Sequence, residues 1–141
     1  MEGNQKMTEQ ELNETKFNEA HTLAIKCIDE IEAHENELLD LKGQLLDLNE
    51  QKNHIEQAKL SEIYSENDDL GKPKFSSDRV RLCELNKRLE SAMDFFELTN
   101  KVSGLQNKIN HLSVRIDGIK RAFSLVKKAF DFETAKMSRG L

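Results

Sequence analysis

Apolar residues in the first half of the chain recur at seven-residue intervals. Two interleaved series are present: Phe17, Ala24, Ile31, Leu38 and Leu45, and Ala20, Cys27, Leu41, Leu48 and Ile55. Two such series are typical of the a and d positions of a coiled coil. Thr8 and Glu11 have the spacing of a helix capping box, and the chain has no Pro before Pro73. The pattern therefore predicts a first helix over about residues 8–66.

The second half of the chain has the same spacing, with one change of phase. The downstream positions are Val102, Leu105, Ile109, Leu112, Ile116, Ile119, Phe123, Val126 and Phe130, and the upstream positions, one residue out of phase, are Leu82, Leu85, Leu89, Ala92 and Phe96. We expect the change of phase, with local unwinding, at residues 99–104. Ser76 or Ser77 can cap this helix, so a second helix is predicted over about residues 77–132.

The segment between the two predicted helices is rich in turn-forming residues. It contains the only Pro of the chain, Pro73, and predicts a turn over about residues 67–76. If the chain folds back there, apolar positions lie opposite each other, for example Phe17 opposite Val126. The sequence therefore predicts an all-α fold, a long antiparallel two-helix coiled-coil hairpin that forms a single domain over residues 1–141.

The two halves of the chain carry opposite charges. The net charge is -5, but residues 1–70 have a net charge of -12 and residues 71–141 a net charge of +7. Opposite charges favour two helices that face each other, and Glu30 is predicted to lie opposite Arg115. Exposed pairs of this kind select the orientation of the helices more than they stabilise the fold.

The first helix carries more apolar residues than one partner helix can cover. The additional residues form a second stripe and are Ile25, Ile28, Leu39, Leu46, Leu60 and Ile63. In a lone hairpin this stripe faces water, so we expect it to mediate self-association into a helical bundle or to bind a protein partner. The alternative is that a bent or broken helix of the same chain covers it.

Composition excludes several protein classes. One Pro and six Gly are too few for the turns of a many-stranded β fold. The chain has no apolar run of the roughly 18 residues that cross a bilayer, and its N-terminal segment is polar. We therefore expect a cytoplasmic protein that has no membrane partner.

The residues that commonly carry chemistry do not form a recognisable site. The four His residues, at positions 21, 34, 54 and 111, include no pair with zinc-ligand spacing. Cys27 and Cys83 are too far apart in the predicted hairpin to form a disulfide, and we expect both to be reduced thiols. We predict a protein that is not an enzyme, without catalytic residues, bound metal or cofactor.

Charged faces give two further hypotheses. The basic residues Lys120, Arg121, Lys127 and Lys128 could contact nucleic acid, although the negative net charge does not favour it. The acidic face of the first helix, with Glu14, Glu32, Asp40, Asp47 and Glu50, is either a solvated surface or one that imitates nucleic-acid phosphates.

The central turn carries a resemblance to a group of known proteins. The stretch from Asn67 to Ser76, with its Gly71-Lys72-Pro73 turn, and the Arg- and Glu-bearing helix after it resemble small coiled-coil proteins of bacteriophages and mobile elements. The resemblance covers roughly 25 residues and brings no catalytic residues. It implies a recombination accessory or an inhibitor of host defence such as an anti-CRISPR protein.

Together these observations predict a non-enzymatic coiled-coil interaction module that self-associates and binds a protein partner. The alternative is a nucleic-acid-binding accessory that uses the basic residues of the second helix.

Overall fold

A computed structural model describes residues 8–139 as three helices. They are α1 (Glu9–Ser65), α2 (Asp78–Glu90) and α3 (Met93–Ser138). The described residues contain no β-strand, and the one β-bridge among them joins Asn67 to Pro73 in the turn after α1. The prediction of an all-α fold is therefore confirmed.

The start of α1 is fixed by the predicted capping box. The Glu11 amide donates to the Thr8 hydroxyl oxygen at 3.1 Å, and the Thr8 amide donates to the Glu11 carboxylate at 3.1 Å. Each bond satisfies an amide that has no partner inside the helix. α1 then continues without a break for 57 residues, so Gly43 does not interrupt it.

The prediction of one continuous second helix is wrong. The helix is interrupted at residues 91–92, which separate α2 from α3, and α3 ends at Ser138 rather than at residue 132. The Ser91 hydroxyl donates to the carbonyl oxygens of Lys87 and Arg88, each at 3.2 Å. The Ala92 amide donates to the Leu89 carbonyl three residues earlier. α2 therefore ends at Ser91, and the three-residue hydrogen bond of Ala92 is the tighter kind that is common at helix ends.

The change of phase was predicted at residues 99–104, but in the structure it lies at the interruption between α2 and α3, residues 91–92. From Phe95 onward, buried or half-buried residues recur every three or four positions through Leu98 and Val102. Leu82 and Phe96, which the sequence pattern placed in the seam, are 58% and 57% exposed. The interruption changes which side of the helix is buried, and from there on the apolar residues of α3 keep a single heptad phase.

The chain divides into two compact units. The first contains residues 8–38 and 111–139 of the described chain, and the second contains residues 39–110. α1 and α3 each contribute to both units. The prediction of a single domain stays a prediction.

In the first unit, a segment of α1 packs against a segment of α3 in the antiparallel direction. The Phe17 ring lies 5.0 Å from the Phe130 ring, and the Lys120 ammonium lies 3.1 Å from the Glu35 carboxylate. The Phe17 contact is one helical turn beyond Val126, the partner that the predicted register assigns. Ala20 and Ile116 are the buried apolar residues of this unit.

In the second unit, residues 39–65 of α1 pack against α2 and the first part of α3. The Lys52 ammonium lies 4.9 Å from the centre of the Phe95 ring, and Arg88 contacts Glu66 at 2.7 Å. The buried apolar residues are Ile63, Leu89, Leu98 and Ile109, and Ile63 is only 1% exposed. The core of this unit therefore includes the last turn of α1.

Replacing Ile63 tests this core. The change Ile63→Ala removes a fully buried side chain, so we expect it to lower the free energy of unfolding by about 2–5 kcal/mol in urea denaturation followed by circular dichroism. Leu82→Ala is the matched control, because Leu82 is exposed. We expect that change to stay within about 0.5 kcal/mol of the wild type. Equal losses of unfolding free energy in the two variants would contradict the structure, in which Ile63 is buried and α2 turns Leu82 toward solvent.

Candidate functional site

The residues of the predicted second stripe differ in burial: some are exposed and others lie in the core. Ile25 and Ile28 are about half exposed in the first unit. In the second unit Leu60 is half-buried and Ile63 is buried. The prediction that Ile63 belongs to an exposed stripe is therefore wrong, because a buried side chain cannot contact a partner. The physical reason is that α2 folds back beside the end of α1.

The exposed part of the stripe in the second unit consists of Leu39 and Leu46. They are 72% and 66% exposed. Their seven-residue spacing places them on one side of α1, about 10.5 Å apart along its axis. Gly43 lies between them, and a Cβ atom at that position would meet nothing within 4 Å. We call Leu39, Gly43 and Leu46 the leucine stripe.

Carboxylates accompany the leucine stripe along α1. Asp40 and Asp47 directly follow Leu39 and Leu46, and Glu50 lies four residues after Leu46. The Gln44 side-chain amide donates to Asp40 at 3.0 Å. Lys42 is the basic residue of this stretch. The leucine stripe is therefore apolar at its centre and mainly acidic at its margins.

An open groove of about 500 Å³ lies between α1 and α3 in the second unit. Leu48 and Leu105 supply its apolar residues, and Lys101, Gly104 and Lys108 line it along α3. Gln44 and Asp47 complete its lining on the α1 side. We call this the glycine groove, because a Cβ atom at Gly104 would meet nothing within 4 Å.

The two lysines of the glycine groove are available to a partner. Both are exposed, and within residues 8–139 neither Lys101 nor Lys108 forms an ion pair. Sequence analysis did not predict the groove. The groove depends on the missing side chain at Gly104, which the spacing of apolar residues does not reveal.

A second pocket of about 390 Å³ lies near the break between α2 and α3. Leu89, Phe95 and Phe96 give it an aromatic and apolar lining, with Glu56 and Glu90 as its carboxylates. The sequence did not predict it, because a continuous helix through residues 91–92 would have turned Phe96 toward the seam.

The turn after α1 is held by a dense set of polar contacts. The Asp68 carboxylate accepts from the amides of Leu70 and Lys72, each at 2.9 Å. Gly71 has a φ of 77°, a backbone conformation that favours glycine. The Pro73 side of the turn is joined to Asn67 by the single β-bridge in the described chain. The turn is therefore an ordered structure that presents Leu70 to solvent.

Arg88 of α2 links this turn to the end of α1. Its guanidinium donates to Glu66 at 2.7 Å and to Glu84 at 2.9 Å, and it lies 5.7 Å from the centre of the Phe75 ring. The hydrogen bond from Arg88 lowers the pKa of Glu66 below its ordinary value, and the charge of Arg88 adds to this effect. The hydrogen bonds from Arg88 to Glu66 and Glu84 raise the pKa of Arg88, so it stays charged.

The four basic residues proposed for nucleic acid lie on α3 in the first unit, and they differ in availability. Lys120 is held in its ion pair with Glu35, and the Arg121 Nε atom donates to the Asp117 carbonyl at 3.4 Å. Lys127 and Lys128 are exposed. This face also presents Phe132, four residues after Lys128, which is 62% exposed. The sequence analysis missed this aromatic residue, although the spacing of four residues could have revealed it.

Metal-binding and membrane-spanning features are not found in the described part of the chain. Residues 8–139 contain no group of three or more His, Cys, Asp or Glu side chains that could hold a metal ion. No helix among them is both long and apolar enough to cross a membrane. His34 contacts Glu37 at 3.7 Å, and Cys27 and Cys83 are free thiols.

Comparisons with known proteins find no match to a family model, to a curated protein or to a solved structure.

The pKa of Glu66 generates a pH prediction. The pKa of Glu66 is lower in the folded protein than in the unfolded chain. The ion pair with Arg88 therefore stabilises the fold fully at pH values above the pKa of a free glutamate, about 4.3. This stabilisation is lost as the pH falls through the pKa that Glu66 has in the folded protein. We expect the thermal midpoint of the wild type to exceed that of Glu66→Gln near neutral pH, and the difference to shrink below about pH 4.3.

Asp69→Asn is the matched control for this measurement. Asp69 is exposed in the same turn, and its carboxylate makes no hydrogen bond or ion pair within the described residues. A difference between wild type and Glu66→Gln that stays constant from neutral to acid pH would contradict the role given to Arg88.

Proposed function

We propose that the chain is a non-enzymatic protein-interaction module that self-associates through the leucine stripe. The observation that carries the proposal is the exposure of Leu39 and Leu46, which are 72% and 66% accessible to solvent on one side of an unbroken helix. Large apolar side chains that lie together at a surface favour contact with another macromolecule.

The proposal includes the finer architecture predicted from the sequence, an antiparallel coiled-coil hairpin that assembles into a helical bundle. The antiparallel contacts inside each unit support it, since Phe17 pairs with Phe130 in the first and Lys52 with Phe95 in the second. Two paired helices leave the leucine stripe uncovered. A second pair of helices is the simplest structure that buries it.

Self-association is tested by light scattering coupled to size-exclusion chromatography at tens of micromolar. We expect the wild type to be a dimer or larger and the double variant Leu39→Glu/Leu46→Glu to be a monomer, because two carboxylates in the contact would each have to lose water. Leu125→Glu is the matched control, since Leu125 is 68% exposed on α3. A monomeric wild type would contradict the proposal.

The second candidate function is contact with nucleic acid on α3. Phe132, exposed beside Lys128, favours it, because an aromatic ring between basic side chains can stack on a base. The Lys136 ammonium also lies 5.4 Å from the centre of the Phe132 ring.

Fluorescence anisotropy with labelled single-stranded DNA at low salt tests this second candidate. If it is correct, Phe132→Ala should weaken binding through lost stacking, and Lys127→Glu/Lys128→Glu should weaken it further and reduce its dependence on salt. Lys120→Ala should have a smaller effect, because Lys120 is paired with Glu35. Binding that is undetectable, or indifferent to all three changes, would rule the candidate out.

The phage or mobile-element origin stays a prediction from the resemblance at the central turn. The same holds for a role as an inhibitor of host defence, such as an anti-CRISPR protein. The acidic margin of α1 around Asp40 and Asp47 is consistent with a surface that imitates phosphates, and equally with the margin of a protein contact.

A further inference from the structure

We propose that the glycine groove of one chain receives the leucine stripe of a second copy. The proposal rests on the self-association proposed above and specifies which surface meets the stripe. Both surfaces belong to the second unit, residues 39–110, so each copy carries the two complementary halves of the contact. The interface is then heterologous, with different residues on its two sides.

The first support is the match in spacing. Leu39 and Leu46 are seven residues apart, and so are Lys101 and Lys108 on the α3 side of the groove. Seven helical residues span about 10.5 Å, so the two periods coincide when the helices lie side by side. The Asp40–Asp47 pair has the same spacing. One axial alignment therefore places both leucines along the groove and both aspartates level with its two lysines.

The second support is shape. Gly104 lies between Lys101 and Lys108 and leaves open space where another residue would place a Cβ atom. The floor beside it is apolar, with Leu48 and Leu105. A volume of about 500 Å³ is large enough for leucine side chains to enter, and burying them removes apolar surface from water on both partners.

The third support is charge. A contact of the leucine stripe with itself would bring Asp40, Asp47 and Glu50 of two copies together, and like charges at a helix contact are unfavourable. The glycine groove instead presents two lysines, Lys101 and Lys108, against the single carboxylate of Asp47, and neither lysine has an ion-pair partner within residues 8–139. Charge complementarity therefore favours the groove over a second stripe as the partner surface.

Gly104→Met tests the proposal by filling the groove. The new Cβ atom meets open space and the change removes a poor helix former, so the variant should fold at least as well as the wild type. We expect it to be monomeric at concentrations where the wild type associates. Gly118→Met is the matched control: Gly118 is also on α3, outside the groove, and a Cβ atom there also meets nothing within 4 Å.

Mixing experiments identify the partner surface. The stripe variant Leu39→Glu/Leu46→Glu keeps an intact groove, and Gly104→Met keeps an intact stripe. If stripe and groove bind each other, neither variant self-associates, but an equimolar mixture regains a complex in sedimentation velocity. The variant Lys101→Glu/Lys108→Glu provides a second groove variant, independent of any effect of Gly104→Met on the helix, and should behave like it.

The outcomes separate this inference from the proposed function. If the wild type associates and the groove variants associate equally well, the stripe binds another surface and the inference is overturned, while self-association stands. The groove would then serve a different protein or a small amphipathic molecule. Loss of association in Gly118→Met as well would also overturn the inference. A wild type that is monomeric at every concentration tested would contradict both the proposed self-association and this inference.

Discussion

Two helices that pack side by side can bury only the residues along their shared seam. Within each unit few apolar side chains are buried: Ala20 and Ile116 in the first unit, and Ile63, Leu89, Leu98 and Ile109 in the second. Among residues 8–139, every other large apolar residue is partly or largely exposed. Leu39 and Leu46 follow the same seven-residue period as the seam but lie on a different side of α1. The leucine stripe belongs to this exposed apolar surface, on which the proposed self-association rests.

Charged side chains in the described chain differ in whether they form ion pairs. Arg88 with Glu66 and Glu84, and Lys120 with Glu35, form contacts inside their own units. Lys101 and Lys108 form none within the described residues, although their exposed ammonium groups flank an apolar groove. Part of the charge therefore forms contacts inside each unit, and the two lysines of the groove carry the charge complementarity on which the proposed stripe–groove contact rests.

Sequence reasoning reached the helical class, the capped start of α1 and the central turn, because each depends on local chemistry. The Thr8–Glu11 capping box and the glycine at position 71 act within a few residues. It failed at the break after α2 and at the core of the second unit. α2 ends at Ser91 although no Pro or Gly is near, and the phase of the following helix exposes Phe96. Ile63 has the period of the exposed stripe but is buried, since α2 folds back beside it.

Hydrogen exchange measured at low and at high protein concentration tests the proposed self-association most directly. Association should slow amide exchange in residues 39–50, which carry the leucine stripe, and in residues 101–108, which line the glycine groove. Exchange in the turn at residues 66–77 and around Phe132 should not change with concentration. We predict that pattern. Exchange in residues 39–50 that is independent of concentration would contradict self-association through the leucine stripe.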